Sequence, residues 1–229
     1  MLSGTIKQLN FKPSVLGEQV STILTKAILD DTLKGGQQLV EAELQKQFGI
    51  SRSPLREAFR DLEKKGLVVI IPRRGTFVKK VISQDIQEIF PVRAVLEGLA
   101  AKEAYNKMSD KELKRMGETL QKMQKAVKRN DTKTYWENHL IFHDIFIGAS
   151  GNVTLIDLLE ILRMNSHRYR FSHQFYLEDF ENSMADHKKI YDFFASSDSD
   201  PDEIAKFVQD HIESALAPFL QYLEKNEQE

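Results

Sequence analysis

The sequence predicts a mostly α-helical protein in two parts: three helices and one β-hairpin within residues 1–80, then an all-α antiparallel bundle of about six helices over residues 81–229. Three observations predict it. Apolar residues recur three and four apart through most of the chain, the period of a helix with one buried face. One β-branched run, Leu67 to Ile71, breaks that period and is followed by a basic, glycine-containing tip and a second short extended run, Thr76 to Val78. Charge divides at the same place, with 14 Lys and Arg against 8 Asp and Glu in residues 1–80, and 18 against 26 in the remainder. A basic head on an acidic body directs any polyanion partner to the first third of the chain, since phosphate contacts need cations where the duplex lies.

With 229 residues, 41% hydrophobic and 29% charged, the chain can bury two ordinary cores. No run approaches 18 apolar residues, and Met1 to Phe11 lacks a basic stretch followed by an apolar one, so neither a membrane span nor a signal peptide is expected and the cytoplasm is the expected location. There is no cysteine, so a metal site would have to be built from His and carboxylates.

In the head, Val20, Ile23, Leu24, Ala27 and Ile28 recur at helical spacing until Gly35-Gly36 stops the first helix. Val40, Leu44 and Phe48 form the face of a second, which Gly49 ends with a residue suited to a left-handed turn. Ser51 is placed to cap the third, about Arg52 to Lys65, which carries Leu55, Phe59 and Leu62 on one face. Arg52, Ser53 and Arg56 gather at its N-terminal end on the other side, where a recognition helix meets base edges and phosphates. Two arginines one turn apart each present a planar fork to guanine or phosphate, and Ser53 adds a hydroxyl. Strand, tip and strand then make a wing: Gly75 permits a tight approach to a groove, and Arg73 and Arg74 suit the negative potential of a narrow minor groove. The whole is a winged helix-turn-helix.

The body is divided by boundary signals. Ser83 precedes the Ile86, Ile89, Phe90 face, Ser109 to Glu112 reads as a capping box, and Asp131 opens a helix. Ser150-Gly151-Asn152 is a turn, and Asp200-Pro201 combines an N-cap with proline at the first helical position. Four histidines fall on or beside apolar stripes: His139 and His143 with Trp136, Phe146 and Ile147; His187 with Ile190, Tyr191 and Phe194; His211 with Ile204, Val208 and Ala215. One inward histidine is an ordinary hydrogen-bonded core residue. Four from three helices can instead share a cation that satisfies them together. Arg93 shares the stripe of Ile86, Ile89, Phe90 and Ala100, so its guanidinium points inward and needs an anion, for which Glu97 one turn on is the local candidate.

The head resembles the GntR family of bacterial regulators through Leu39-Val40-Glu41-Ala42-Glu43-Leu44, Gly49-Ile50-Ser51-Arg52-Ser53-Pro54-Leu55-Arg56-Glu57-Ala58-Phe59, Gly66-Leu67-Val68 and Pro72-Arg73-Arg74-Gly75-Thr76-Phe77-Val78. The resemblance spans residues 15–80 and implies that Arg52, Ser53 and Arg56 touch operator DNA with Gly75 at the wing tip. It departs at Ala42, where the fatty-acid-responsive member has a DNA-contacting arginine. The body, over about residues 84–222, resembles the FCD effector domain that follows the head in one branch of that family. There the metal ligands come as Asp-x-x-Phe-His on one helix and single histidines on two later helices, which correspond to His139, His143, His187 and His211. His139 stands where an Asp is usual, and the all-nitrogen set favours zinc or nickel over hard, oxygen-loving ions. The resemblance also implies that Arg93, within Arg-x-x-x-Glu, holds an effector carboxylate beside the metal, with Asn165 lining the same pocket.

The expected function is therefore a ligand-responsive DNA-binding transcription regulator, a repressor by preference, that binds an inverted-repeat operator as a homodimer and responds to a small carboxylate. Two rival readings compete with it. A metal-dependent hydrolase fused to a DNA-binding head fits poorly, because His139-Leu140-Ile141-Phe142-His143 has no Glu after its first histidine to activate water. A DNA-binding protein with a purely structural metal differs from the leading reading only in lacking an effector response.

Overall fold

A computed structural model of the chain describes residues 14–80, 82–172, 180–217 and 220. The chain folds as two compact units, residues 1–80 and 81–229. In the first unit α1 (Ser14–Leu29) and α2 (Glu41–Phe48) both pack on α3 (Arg52–Lys64). Val20, Leu24 and Ile28 of α1, spaced by four, are buried with Leu55, Ala58, Phe59 and Leu62 of α3. Each large apolar side chain so buried contributes about 1.5–3 kcal/mol.

Local details differ from the expectation, and Val40, expected on the face of the second helix, is the exposed N-cap of α2. Helix α1 ends at Leu29, six residues before Gly35: Asp31 takes φ 60°, and the Thr32 N–H donates to Asp30 Oδ1 at 3.1 Å. Short acidic side chains compete for backbone donors and end a helix earlier than the next glycine would. Ile23, expected on the buried face, is exposed. Ser51 does occupy the N-cap of α3, but its side chain makes no capping bond. Gly49 behaves as expected, with φ 65° and its N–H on Gln45 O.

The wing is a three-stranded antiparallel sheet, β1 (Gln38–Leu39), β2 (Val68–Ile71) and β3 (Gly75–Val78), in the order β1-β3-β2. Strand β1 carries two residues, too few to display a period of two, which is why the sequence predicts only the hairpin. At its tip Ile71 pairs with Gly75, and the Arg74 N–H donates to Ile71 O at 3.0 Å across Pro72 and Arg73. Proline at the second place of this turn and a positive φ of 62° at Arg73 are the marks of a type II turn. Gly75 holds φ 109°, and a Cβ there would lie 2.9 Å from Gln38 Nε2, which donates to Arg74 O.

In the second unit the described helices are α4 (Ser83–Tyr105), α5 (Asp110–Lys128), α6 (Thr132–Ala149), α7 (Val153–Ser172), α8 (Phe180–Ala195) and α9 (Pro201–Ser214). The predicted boundaries hold: Ser109 accepts from the Glu112 N–H in a capping box, Asp131 from the Thr134 N–H, and Asp200 from the Asp202 N–H ahead of Pro201. At the head of α4 the Ile82 N–H donates to Asp85 Oδ2 at 3.1 Å. Helix α4 is the hub, packing on α6, α7 and α9. Gly98 sets its distance from α9, because a Cβ there would stand 2.7 Å from the Ala205 carbonyl oxygen. The core runs through Ala101, Met116, Leu120, Tyr135, Phe142, Phe146, Leu159, Ile190, Ile204 and Val208.

The wing turn generates a stability prediction. Gly75→Ala forces an L side chain into a left-handed backbone and should lower unfolding free energy by about 1–2 kcal/mol, whereas Arg73→Gly relieves the same kind of strain and should raise it. Urea titration of the two variants checks this, and a neutral Gly75→Ala would show that the hairpin does not depend on that φ.

Candidate nucleic-acid interface and metal centre

The head leaves all the predicted contact residues exposed. Arg52, Ser53 and Arg56 occupy the first two turns of α3 on the side opposite its buried face. Both arginines converge on Glu41, the first residue of α2: Arg56 Nε donates to Oε1 at 3.0 Å, and Arg52 Nε lies 3.4 Å from Oε2. Ser53 Oγ donates to Glu57 Oε1 at 3.4 Å. Arg73, Arg74 and Gly75 are exposed at the wing tip. The sequence alone does not single out Glu41, whose only signal is an acid in the first turn of a helix, where the macrodipole alone would explain it.

In the body the four histidines converge. His139 and His143 from α6, His187 from α8 and His211 from α9 are all buried, each offers one ring nitrogen, and these nitrogens lie within 4.8 Å of one another. Their outer nitrogens reveal the protonation pattern. His143 Nδ1 is 2.6 Å from Glu97 Oε2, His187 Nδ1 is 2.5 Å from the Ser183 carbonyl oxygen, and His211 Nδ1 is 3.0 Å from Asp186 Oδ2. An oxygen without a proton only accepts, so each of these Nδ1 atoms carries the hydrogen, and a neutral ring then presents a lone pair at Nε2.

His143 Nε2 and His187 Nε2 are 3.2 Å apart. Two neutral acceptors at that distance repel unless a proton or a metal ion is shared between them. Burial drives the His143 imidazole down to about 4, against the raising influence of Glu97, and His211 and Arg163 lower it further. At neutral pH the His143 ring is therefore neutral. Two nitrogens bound tetrahedrally to one ion at about 2.0–2.1 Å stand roughly 3.3 Å apart, so the donor set fits a metal. The carboxylate behind His143 is the usual device for fixing a ligand's tautomer.

Glu97 and Arg93, four residues apart on α4, are both fully buried. Arg93 Nε donates to Glu97 Oε1 at 2.5 Å, leaving Oε2 for His143. Burial by itself would raise the Glu97 carboxyl, but Arg93, then His143 and Arg163, hold it well below the usual carboxylate range. Arg93 Nη1 and Nη2 are buried without a hydrogen-bond partner among the described residues. The guanidinium thus binds its helix neighbour by one donor, and its Cζ lies 5.5 Å from the centroid of the Phe90 ring.

Arg163 of α7 joins the site without having been expected there. It is buried, with Nη1 2.5 Å from Asp144 Oδ1, Nη2 donating to Leu140 O at 3.0 Å, and Nε 3.8 Å from Glu97 Oε1. A signal for it is present in the sequence, because Leu155, Leu159 and Arg163 are spaced by four and the first two are buried. It also lines a cleft of about 410 Å³ between α6 and α7, with Leu140, Asp144, Ile147, Ile156 and Met164. The side chain of Asn165, the other expected pocket residue, lies outside the described residues.

Known proteins agree with both halves. Residues 16–78 match the model described as "Bacterial regulatory proteins, gntR family", and residues 88–214 match the FCD domain. The HTH-type transcriptional regulator YdhC of Bacillus subtilis is 32% identical over 183 residues, covering 79% of this chain and 81% of that protein. The HTH-type transcriptional repressor RspR of Escherichia coli is 24% identical over 211 residues, 92% of each chain. The structure of E. coli McbR/YncC superposes with a TM-score of 0.76 at 20% identity, covering 90% of this chain and 97% of that one, and shares the fold.

Proposed function

This chain belongs to the GntR family of bacterial regulatory proteins and carries its FCD domain, and from that premise we propose that it is a cytoplasmic repressor that binds an inverted-repeat operator as a homodimer and is released or retained by a small carboxylate bound beside a metal ion. DNA-binding transcriptional regulation is the family's function, and the hydrolase reading gives way to it. The repressor assignment follows the name of RspR. The cytoplasmic assignment follows from DNA binding; among the described residues no helix is long and apolar enough to cross a membrane.

The observation that carries the effector reading is the buried fork of Arg93, which has no hydrogen-bond partner among the described residues. Each buried donor without a partner costs about 1–3 kcal/mol, and a carboxylate satisfies two at once with bidentate geometry. The metal would be held by His143, His187 and His211 through Nε2, with His139 as fourth ligand; zinc or nickel suits four imidazoles, and the ion supplies Lewis acidity toward the effector's second oxygen. A purely structural metal would leave the Arg93 fork unexplained. Operator contact is assigned to Arg52, Ser53 and Arg56, with Arg73, Arg74 and Gly75 on the neighbouring groove. Dimerisation is assigned to the body, where Val92, Val95 and Leu99 of α4 and Leu158 and Ile161 of α7 are exposed on two helices that pack together. Exposed apolar side chains on two neighbouring helices suit a protein–protein contact, and a two-fold operator calls for a two-fold protein.

Four experiments test this reading. On a duplex selected by the protein from a random pool, Arg52→Ala and Arg56→Ala should each weaken binding by about 1–3 kcal/mol, and wild-type affinity in both would sink the recognition-helix assignment. Val95→Asp should shift the protein from dimer to monomer in sedimentation at micromolar concentration; a dimer of unchanged strength places the interface elsewhere. Chelation should lower the melting temperature and zinc should restore it, with one ion per chain by elemental analysis. Arg93→Lys keeps a cation beside Glu97 but loses the fork, so it should retain zinc while losing its response to a panel of mono- and dicarboxylates. A metal-free wild type removes the site, and a normal response in Arg93→Lys removes the clamp.

A further inference from the structure

We propose that Glu41 is a positioning residue for DNA recognition: by accepting a hydrogen bond from Arg56 Nε and forming an ion pair with Arg52 Nε it restrains how the two guanidinium groups meet the duplex and limits their attraction to phosphate. The inference rests on the reading of Arg52 and Arg56 as operator contacts. Glu41 is the first residue of α2, and its two carboxylate oxygens are divided between the two arginines, Oε1 at 3.0 Å from Arg56 Nε and Oε2 at 3.4 Å from Arg52 Nε. The three side chains are 32%, 58% and 67% exposed for Glu41, Arg56 and Arg52. Ion pairs this wet add little to folding, so stability does not account for the arrangement.

Recognition accounts for it in two ways. A guanidinium can approach guanine side-on through Nε and one Nη, or end-on through its two Nη atoms. A carboxylate on Nε removes the side-on mode, and the same anchor restrains two long side chains that would otherwise sample many rotamers before binding. The second effect is one of charge. Glu41 turns a local charge of +2 into +1, which weakens the pull of the backbone on every sequence alike. Orientation helps only where the correct base edge is present. The two effects together raise the ratio of specific to non-specific binding, and they do so partly by reducing the non-specific part.

The test uses the full chain and two duplexes of equal length, one selected by the protein from a random pool and one a scramble of it. Glu41→Ala should bind the selected duplex at least about 5-fold more weakly, since part of a bidentate contact is lost. The same variant should bind the scramble as tightly as wild type or more tightly, with a log–log salt dependence steeper by up to about one unit. Glu41→Gln retains an oxygen for Nε but not the charge, so it should keep a higher selectivity than the Ala variant while sharing its steeper salt dependence. An unchanged ratio between the duplexes in Glu41→Ala overturns the proposal. So does an equal loss on both duplexes accompanied by a lower melting temperature, which would make Glu41 a structural link between α2 and α3. Failure of the underlying reading is distinguishable, because Arg52→Ala and Arg56→Ala would then bind the selected duplex as wild type does.

Discussion

A single buried carboxylate, Glu97, organises the body of this protein. Its two oxygens are claimed from opposite sides by the Arg93 guanidinium on its own helix and by the His143 imidazole on α6, with the Arg163 guanidinium of α7 nearby. Removing one partner of a buried pair leaves an uncompensated charge and costs about 3–5 kcal/mol, so the four groups hold one another in place far more firmly than surface pairs do. The arrangement also fixes a proton. Because Glu97 stays ionised, His143 donates through Nδ1 and offers Nε2 to the interior, where His187 and His211, turned the same way by Ser183 O and Asp186, offer theirs. Three lone pairs converging in one buried cluster make a donor set that a cation would satisfy.

The head uses the same chemical pair under the opposite conditions. Glu41 and its two arginines are wet, and in high dielectric their mutual attraction is small and screened by salt. Such a pair can be re-formed with a phosphate or a base edge at little cost, as an interface needs. Glu97 and Arg93 cannot exchange partners with water. Arg93 has two Nη atoms that bond to no partner among the described residues. Solvent exposure thus divides two otherwise similar Arg–Glu sets into one suited to transient contact and one suited to a resident site.

Much of this is legible in the sequence, and the failures have physical causes. Helical stripes report which way His139, His143, His187, His211 and Arg93 point, because burial of one face is what the period encodes, and the capping residues Ser109, Asp131 and Asp200 report helix starts. In one dimension Glu97 competes with an effector for Arg93. In three dimensions it takes Nε alone, and no sequence pattern distinguishes one donor of a guanidinium from another. The oxygens behind His187 and His211 are invisible in sequence for a related reason: one is a backbone carbonyl, which every residue has, and the other belongs to Asp186, which as a sequence feature is an ordinary half-buried acid. Strand β1 escapes because two residues carry no period, and the end of α1 is misplaced because Asp30 captures a backbone N–H and Asp31 turns left-handed, which composition does not weight against a following Gly-Gly.

The position of α4 explains how an occupied site can matter beyond itself. This helix supplies Arg93 and Glu97, packs on α6, α7 and α9, is held close to α9 by the bare backbone of Gly98, and is the first described helix after the head in sequence. Under the proposed reading, an effector carboxylate joined to the Arg93 fork and to the ion ties α4 to the helices that carry the histidines. Without it the ion is tied to α4 only through Glu97 and His143. A ligand shifts a conformational equilibrium only by its difference in affinity for the two states, and coupling in such systems is about 1–3 kcal/mol. Two charge-assisted hydrogen bonds that form in one placement of α4 and not in another supply a difference of that size. The effector therefore needs no large rearrangement to act, only an α4 whose placement decides whether the Arg93 fork reaches it.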